Sequence, residues 1–368
     1  MTDVLIVGGG PAGSALAVLL GRAGISVELF ERSHFPKEKP CGEGLMPAGV
    51  DVLTRMGLRE MIGGIPFFGV RYHVNGTVAT GRFPSNGHPV TGTAQRRSRF
   101  DYALFQAATA TPNVTAYTGK AVEALLREGN CVTGVVASGE PRHAKLVVAA
   151  DGAQSRMRTL LGWNLPQRRK RIGMRAHFRL APGRPPTEFV DIFVGRGHEL
   201  YVTLLPENEL LVAALAGPEM LGESPARAFH RWCRQHRTLA ARLDGAEQIT
   251  DLLTTSPLSG KSRHGVAPGV TLLGDAAGFC DPVTGGGMAQ ALVTAELLAS
   301  YIARFGVEDQ RWLETFDRAR RSMLRNYVRV TRAMLWLAEH PRLAAQAVAV
   351  GARVPPLVSQ LVGAAARV

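Results

Sequence analysis

Apolar positions along this chain recur with two periods, and the switches between them outline its architecture. Val4–Val7 is a short, largely β-branched run that Gly8–Pro11 halts, after which Ala12–Ala23 resumes at helical spacing and Ser26–Phe30 reads as a second strand. Parallel strands need a crossover helix between them, so residues 4–30 predict a β-α-β unit. Val70–Val74 and Thr77–Thr80 flank Asn75-Gly76, a dipeptide suited to the positive φ angles of a tight hairpin. Further along, the pattern predicts a helix at Arg99–Thr109, short strands over Val114–Val148, and a second sheet over Ile172–Ala216 with turns at 182–186, 195–197 and 207–208. A charged helix at Ala226–Leu243 and a strand at Val270–Leu273 follow. A long helix opens at Gly285–Gly287 and runs through Ile302, and from Asp309 the tail is almost wholly helical, with breaks at Pro341 and Pro355-Pro356.

At 368 residues the chain suits one large α/β unit or two interleaved ones. Its 46% apolar and 20% charged residues exclude a mostly disordered protein. The uncharged stretch Val4–Gly21 reads as strand, loop and helix rather than a signal peptide, because Asp3 stands where a basic segment is expected and Gly8–Pro11 interrupts the apolar run. No other uncharged run is long enough to cross a bilayer. The four cysteines, Cys41, Cys131, Cys233 and Cys280, form no C-x-x-C pair, which argues against structural zinc and a disulfide scaffold and fits a reducing cytoplasm. No metal site is expected.

The formal charge of +13 is carried by arginine. One cluster is Arg168, Arg169, Lys170 and Arg171. A second series, Arg318, Arg321, Arg325, Arg329 and Arg332, is spaced to share one face of a helix whose other face holds Met323, Leu324, Tyr327, Val328, Met334 and Leu335. A solvated helix face accounts for this series; contact with an anionic membrane surface or an acidic carrier protein is the alternative. Nothing in the chain has the aromatic interleaving of a nucleic-acid module, so nucleic acid is not expected as a partner.

Candidate chemistry starts at Gly8-Gly9-Gly10-Pro11-Ala12-Gly13, which fits G-x-G-x-x-G and lies between a strand and a helix. Gly8 permits the tight turn, Gly10 lets backbone approach a pyrophosphate, and Gly13 allows close packing of helix on strand. Pro11 and Ala12 open the helix, whose positive end favours phosphates. Glu31, followed by Arg32, ends the second strand about twenty positions after the glycines, where a carboxylate reaches a ribose hydroxyl. A glycine-rich turn with an incidental acid is the plain alternative.

Two further motifs extend this pattern. Asp151-Gly152-Ala153-Gln154-Ser155-Arg156 resembles the Asp-Gly motif of the flavoprotein hydroxylases, and Leu273-Gly274-Asp275-Ala276-Ala277-Gly278 resembles their Gly-Asp motif. With the glycine motif they occur in the same order as in that superfamily, which includes p-hydroxybenzoate hydroxylase-like monooxygenases, geranylgeranyl reductases and flavin-dependent halogenases. The resemblance implies FAD as cofactor. It also implies an α/β fold in which a Rossmann-type FAD-binding domain (1–70, 95–170 and 258–305) is interleaved with a β-sheet substrate domain (71–94 and 171–257), followed by C-terminal helices (306–368). By the same resemblance Asp275 contacts the ribityl chain, Gly286, Gly287 and Met288 offer amides to the flavin pyrimidine edge, and Arg97 approaches the FAD phosphates, with Arg96 and Arg99 as alternatives. Cys41-Gly42-Glu43 lies where the reductases carry a Cys-Gly-rich loop beside the flavin ring, so Cys41 is a candidate catalytic and substrate-side residue, or else a small buried hydrophobe. Pro282 is placed with the substrate side. Tyr201, in Tyr201-Val202-Thr203-Leu204-Leu205-Pro206, occupies the position of the halogenase W-x-W-x-I-P and reductase Y-x-W-x-F-P motifs, and is a candidate catalytic and cavity residue against ordinary strand packing.

The resemblance implies an FAD-dependent oxidoreductase, foremost a class A-like monooxygenase acting on a largely apolar or aromatic substrate, with NADPH or NADH as electron donor. A reductase of the geranylgeranyl type is the close alternative, and a non-catalytic flavin-binding protein the remote one. Thr203 replaces the tryptophan of both motifs, which counts against halogenation.

Overall fold

Val4–Val7 is buried along its whole length, as a strand covered on both faces must be. In the computed structural model, which describes residues 2–85, 89–166, 171–183, 187–222 and 224–366, this strand (Thr2–Val7) is central to the first of two large sheets. It pairs in parallel with Val27–Phe30 on one side and Glu140–Ala149 on the other. Val114–Tyr117 and Val270–Leu272 extend the parallel set at the two sides. The helices Pro11–Arg22, Arg97–Thr109 and Gly287–Phe305 pack with them to form the largest core.

The second sheet runs in the order Glu247–Gln248, Ile172–Arg179, Glu209–Ala216, His198–Leu205, Val190–Gly195, Gly69–Val74, Thr77–Arg82. Asn75 and Gly76 take φ of 49° and 83°, so the hairpin turn has the predicted conformation. Alternation gives this sheet two apolar faces. Met174, Ala176, Phe178, Leu200, Val202 and Val212 pack under the helices Pro225–Gln235 and Arg237–Leu243, while Ile192, Tyr201, Leu211, Ala213 and Leu215 join the larger core formed with the first sheet and its helices. The interleaved domain limits read from the sequence remain our proposal.

Two helices predicted as continuous are broken. The charged helix divides at His236, and the tail helix divides at Leu324 into Leu313–Met323 and Arg325–Ala338. Arg318, Arg321, Arg325, Arg329 and Arg332 are nonetheless all exposed. The last helices, Pro341–Arg353 and Pro355–Ala366, turn back onto the hairpin strand Thr77–Arg82, where a Cβ on Gly81 would come within 2.6 Å of Val362. Arg168, Arg169 and Lys170 lie outside the described residues.

Candidate active site

The glycine motif divides its work as the spacing predicts. Gly8 has φ of +109°, and a Cβ there would stand 2.5 Å from the Ala150 carbonyl oxygen; at Gly13 it would stand 1.9 Å from that of Gly8. Gly10, by contrast, faces open space. The helix Pro11–Arg22 starts there without a side-chain cap, leaving its first amides for an anion on the open side. Glu31 is buried and accepts hydrogen bonds from the amides of Gly9 and Ser33, both at 2.9 Å. Lys37 pairs with it at 2.7 Å. Burial opposes its charge, but Lys37 and the two amides more than offset that and hold its carboxyl below the ordinary value. Arg32 is exposed.

A residue that sequence reading missed joins the other two motifs. Arg158, buried in the short helix after the Asp-Gly motif, donates to the carbonyls of Ala153 (2.7 Å), Ala276 (3.0 Å) and Asp275 (3.3 Å), and to Asn164 (2.7 Å). One guanidinium thereby ties Ala153, next to Asp151-Gly152, to Asp275-Ala276 of the Gly-Asp motif. The Asp151 carboxylate is engaged locally, accepting from the Ser155 hydroxyl at 2.5 Å and the Met157 amide at 3.0 Å. Burial raises its pKa.

The family model described as "FAD binding domain" matches residues 1–331. The chain belongs to this family. Among its curated relatives, the menaquinone reductase of Mycolicibacterium smegmatis is 28% identical over 319 residues, covering 83% of this chain and 78% of its own. The 6-methylpretetramide 4-monooxygenase of Streptomyces rimosus is 31% identical, covering 80% and 73%. The digeranylgeranylglycerophospholipid reductase of Methanothrix thermoacetophila is 29% identical, covering 86% and 84%. The mouse squalene monooxygenase is longer, and the chain spans 54% of it. Solved structures share the fold: a flavoprotein/dehydrogenase from Cytophaga hutchinsonii superposes with a TM-score of 0.85 over 98% of this chain and 93% of its own at 20% identity. The chain is an FAD-dependent oxidoreductase whose relatives include monooxygenases and reductases.

The second half of the site suits this flavoprotein assignment. The 19-residue helix Gly287–Phe305 starts without a side-chain cap, and Gly287 faces open space. Gly286 does not share that openness, since a Cβ there would lie 2.3 Å from the Tyr327 ring, and Met288 is buried. Two uncapped helix ends, each beside a glycine with room for a ligand, are what a dinucleotide with two charged or polar ends needs.

Around the Cys41 loop the structure shows what each expected residue is engaged with. Arg97 is buried and makes a bidentate pair with Asp101 at 2.7 and 2.8 Å. Burial disfavours its charge, yet Asp101 and the neighbouring Cys41 sulfur raise its pKa. Arg96 is paired with Glu209 and Arg99 with Glu207. Pro282 is exposed. The Tyr201 hydroxyl donates to the Val283 carbonyl at 3.0 Å, and burial, followed by Glu199, pushes its pKa well above 10.0. It stays protonated and holds the loop before Gly286, a positioning geometry rather than that of a free acid. Cys41 and Gly42 are half-buried, and Gly42 faces open space.

Proposed function

We propose that the chain is a single-component monooxygenase that oxygenates a largely apolar or aromatic organic substrate, with NADPH or NADH as electron donor. The observation that carries this reading is the face of the second sheet turned toward the dinucleotide domain. Ile192, Leu211, Ala213 and Leu215 make it apolar, and its polar members Thr203 and His177 are hydrogen-bonded to the Cys41 loop. FAD, when bound, supplies the redox chemistry and, in an oxygenase, the activation of oxygen. On this reading Gly8, Gly10, Pro11, Ala12, Gly13 and Glu31 hold the ADP half, and Gly274, Asp275, Gly287 and Met288 the flavin half. Cys41 and Gly42 line the substrate side, and Tyr201 orients the loop that delivers Gly286. The monooxygenase relative supports the reaction class.

Reduction of an apolar substrate is the second reading, favoured by two reductase relatives that share more of both chains than the monooxygenase relative does and by Cys41 beside the buried Arg97. The experiment is turnover of quinone, polyketide and prenyl-lipid substrates, without oxygen using pre-reduced enzyme, and with isotopically labelled oxygen. Label in the product establishes the oxygenase; anaerobic product without label establishes the reductase.

We further propose that the substrate is reached at an anionic membrane surface. No single helix among the described residues is long and apolar enough to cross a membrane. The C-terminal helices expose Trp336, Leu343, Val350, Leu357 and Leu361, and Arg325, Arg329 and Arg332 are exposed on the same run of helices.

A further inference from the structure

A line of charged and polar side chains runs inward from a crevice of about 490 Å³ that Glu38, Arg175, Gln248, Thr250 and Asp251 help to line. Glu38, partly exposed, pairs with the buried Arg175 guanidinium. Arg175 Nη1 lies 3.1 Å from His177 Nδ1, and Thr250 Oγ1 lies 3.2 Å from the same nitrogen. His177 Nε2 is 2.8 Å from Glu43 Oε2, and both side chains are wholly buried. Glu43 Oε1 accepts the Arg97 amide at 3.0 Å, the first residue of the 13-residue helix Arg97–Thr109.

Donor and acceptor chemistry orders this line. A guanidinium only donates, so His177 Nδ1 accepts, and the ring proton sits on Nε2 and is donated to Glu43. Glu43 thus keeps a buried negative charge satisfied by an imidazole N–H and by the amide at a helix start, where the helix dipole favours it. Such an arrangement is a poor device for stability alone, because apolar residues of equal volume serve as well or better. Glu43 also adopts φ of 56°, a strained backbone for a glutamate. Strain and buried charge meet in the loop that carries Cys41, whose sulfur accepts the Glu43 amide at 3.3 Å.

We propose that Arg175, His177 and Glu43 form a positioning relay through which the substrate sheet sets the geometry of the Cys41–Gly44 loop, with Glu38 anchoring its outer end. The inference rests on the proposed placement of that loop beside flavin and substrate. Strand Ile172–Arg179 supplies two members of the relay, so a displacement of the sheet is transmitted to Cys41 by charge-assisted hydrogen bonds rather than by soft apolar contact.

The test compares His177→Phe, which has no donor, with His177→Gln, whose amide can donate to Glu43, and with Glu43→Gln. The readouts are the peptide-resolved rate of Cys41 alkylation by iodoacetamide, with and without FAD, and the absorption spectrum of bound flavin. His177→Phe is expected to change the Cys41 rate by about tenfold or more and to shift the flavin spectrum, while His177→Gln recovers most of both. Equal rates and spectra in wild type and both histidine variants, or equal defects in Phe and Gln, would overturn the relay. If His177→Phe fails to fold, Glu43→Gln decides: a folded protein with wild-type Cys41 reactivity rejects the proposal. Failure of wild type to bind FAD sinks the cofactor-site reading instead, and alkylation of the apoprotein still tests the relay.

Discussion

The hydroxyl of Thr203 donates to the carbonyl of Gly42 at 3.1 Å, tying the middle of the second sheet to the loop that carries Cys41. Thr203 is buried, and the position that holds tryptophan in the halogenase and reductase motifs is here a small hydrogen-bonding side chain packed against a neighbouring loop. Incubation with reduced FAD, oxygen, bromide or chloride and a panel of aromatic substrates is expected to yield no halogenated product by mass spectrometry. Thr203→Trp overfills the site and should cost about 1–3 kcal/mol in urea unfolding; an unchanged midpoint would show that the site has room for an indole.

Glu31 already accepts two amides and a lysine beside the glycine motif, where we propose the ADP half of FAD is held. In Glu31→Ala the ribose loses its charge-assisted partner, and FAD affinity should weaken by about 1.5–3 kcal/mol. Titration of apoprotein followed by flavin fluorescence measures this, and unchanged affinity would place the ribose elsewhere.

His198 stacks on Trp232 with ring centroids 4.7 Å apart and lies 3.3 Å from the His236 ring nitrogen. Burial, then the neighbouring His236, lowers its pKa from 6.5 to about 4, while the Arg196 carbonyl only partly opposes the shift and Arg231 adds to it. A folded-state value below the unfolded one means the unfolded chain binds the proton first. This contribution to stability is therefore complete above pH 6.5 and is lost as the pH falls toward 4, by about 3 kcal/mol. Urea midpoints across that window should fall less steeply for His198→Gln than for wild type; parallel curves would exclude His198 as the source.

Arg321 is engaged with Asp317 at 2.7 Å, so the membrane test uses Arg325, Arg329 and Arg332 replaced together by glutamine. Wild type is expected to co-sediment with anionic vesicles at low salt and to be released as salt rises, because exposed charges are screened over about 8 Å at physiological ionic strength. The triple variant should bind several-fold more weakly. A second variant, Leu357→Ser with Leu361→Ser, should lose binding at every salt concentration. Equal sedimentation of wild type with neutral and anionic vesicles, or none at low salt, leaves an acidic carrier or a freely dissolved substrate.

The sequence by itself determined the features whose physics is local. The strand, glycine turn and helix of residues 2–22 were legible because the run of apolar residues, the glycine spacing and the helical period all lie within one short stretch of chain. The Asn75-Gly76 turn was legible because its φ angles are a property of those two residues. The second sheet appeared as alternation, which survives in any sequence whose strand buries its faces differently. Even so, periodicity ran through His236 and Leu324, where the structure breaks the helix, since a short interruption leaves the apolar spacing almost in phase. Tertiary structure alone decided the partners of the charges. Arg158 carried no motif of its own, yet it joins carbonyls more than a hundred residues away. Glu43 and His177 stand 134 positions apart, so no local pattern records their hydrogen bond. A buried charge is governed by what packs around it in three dimensions, and that environment exists only once both sheets have closed on the loop between them.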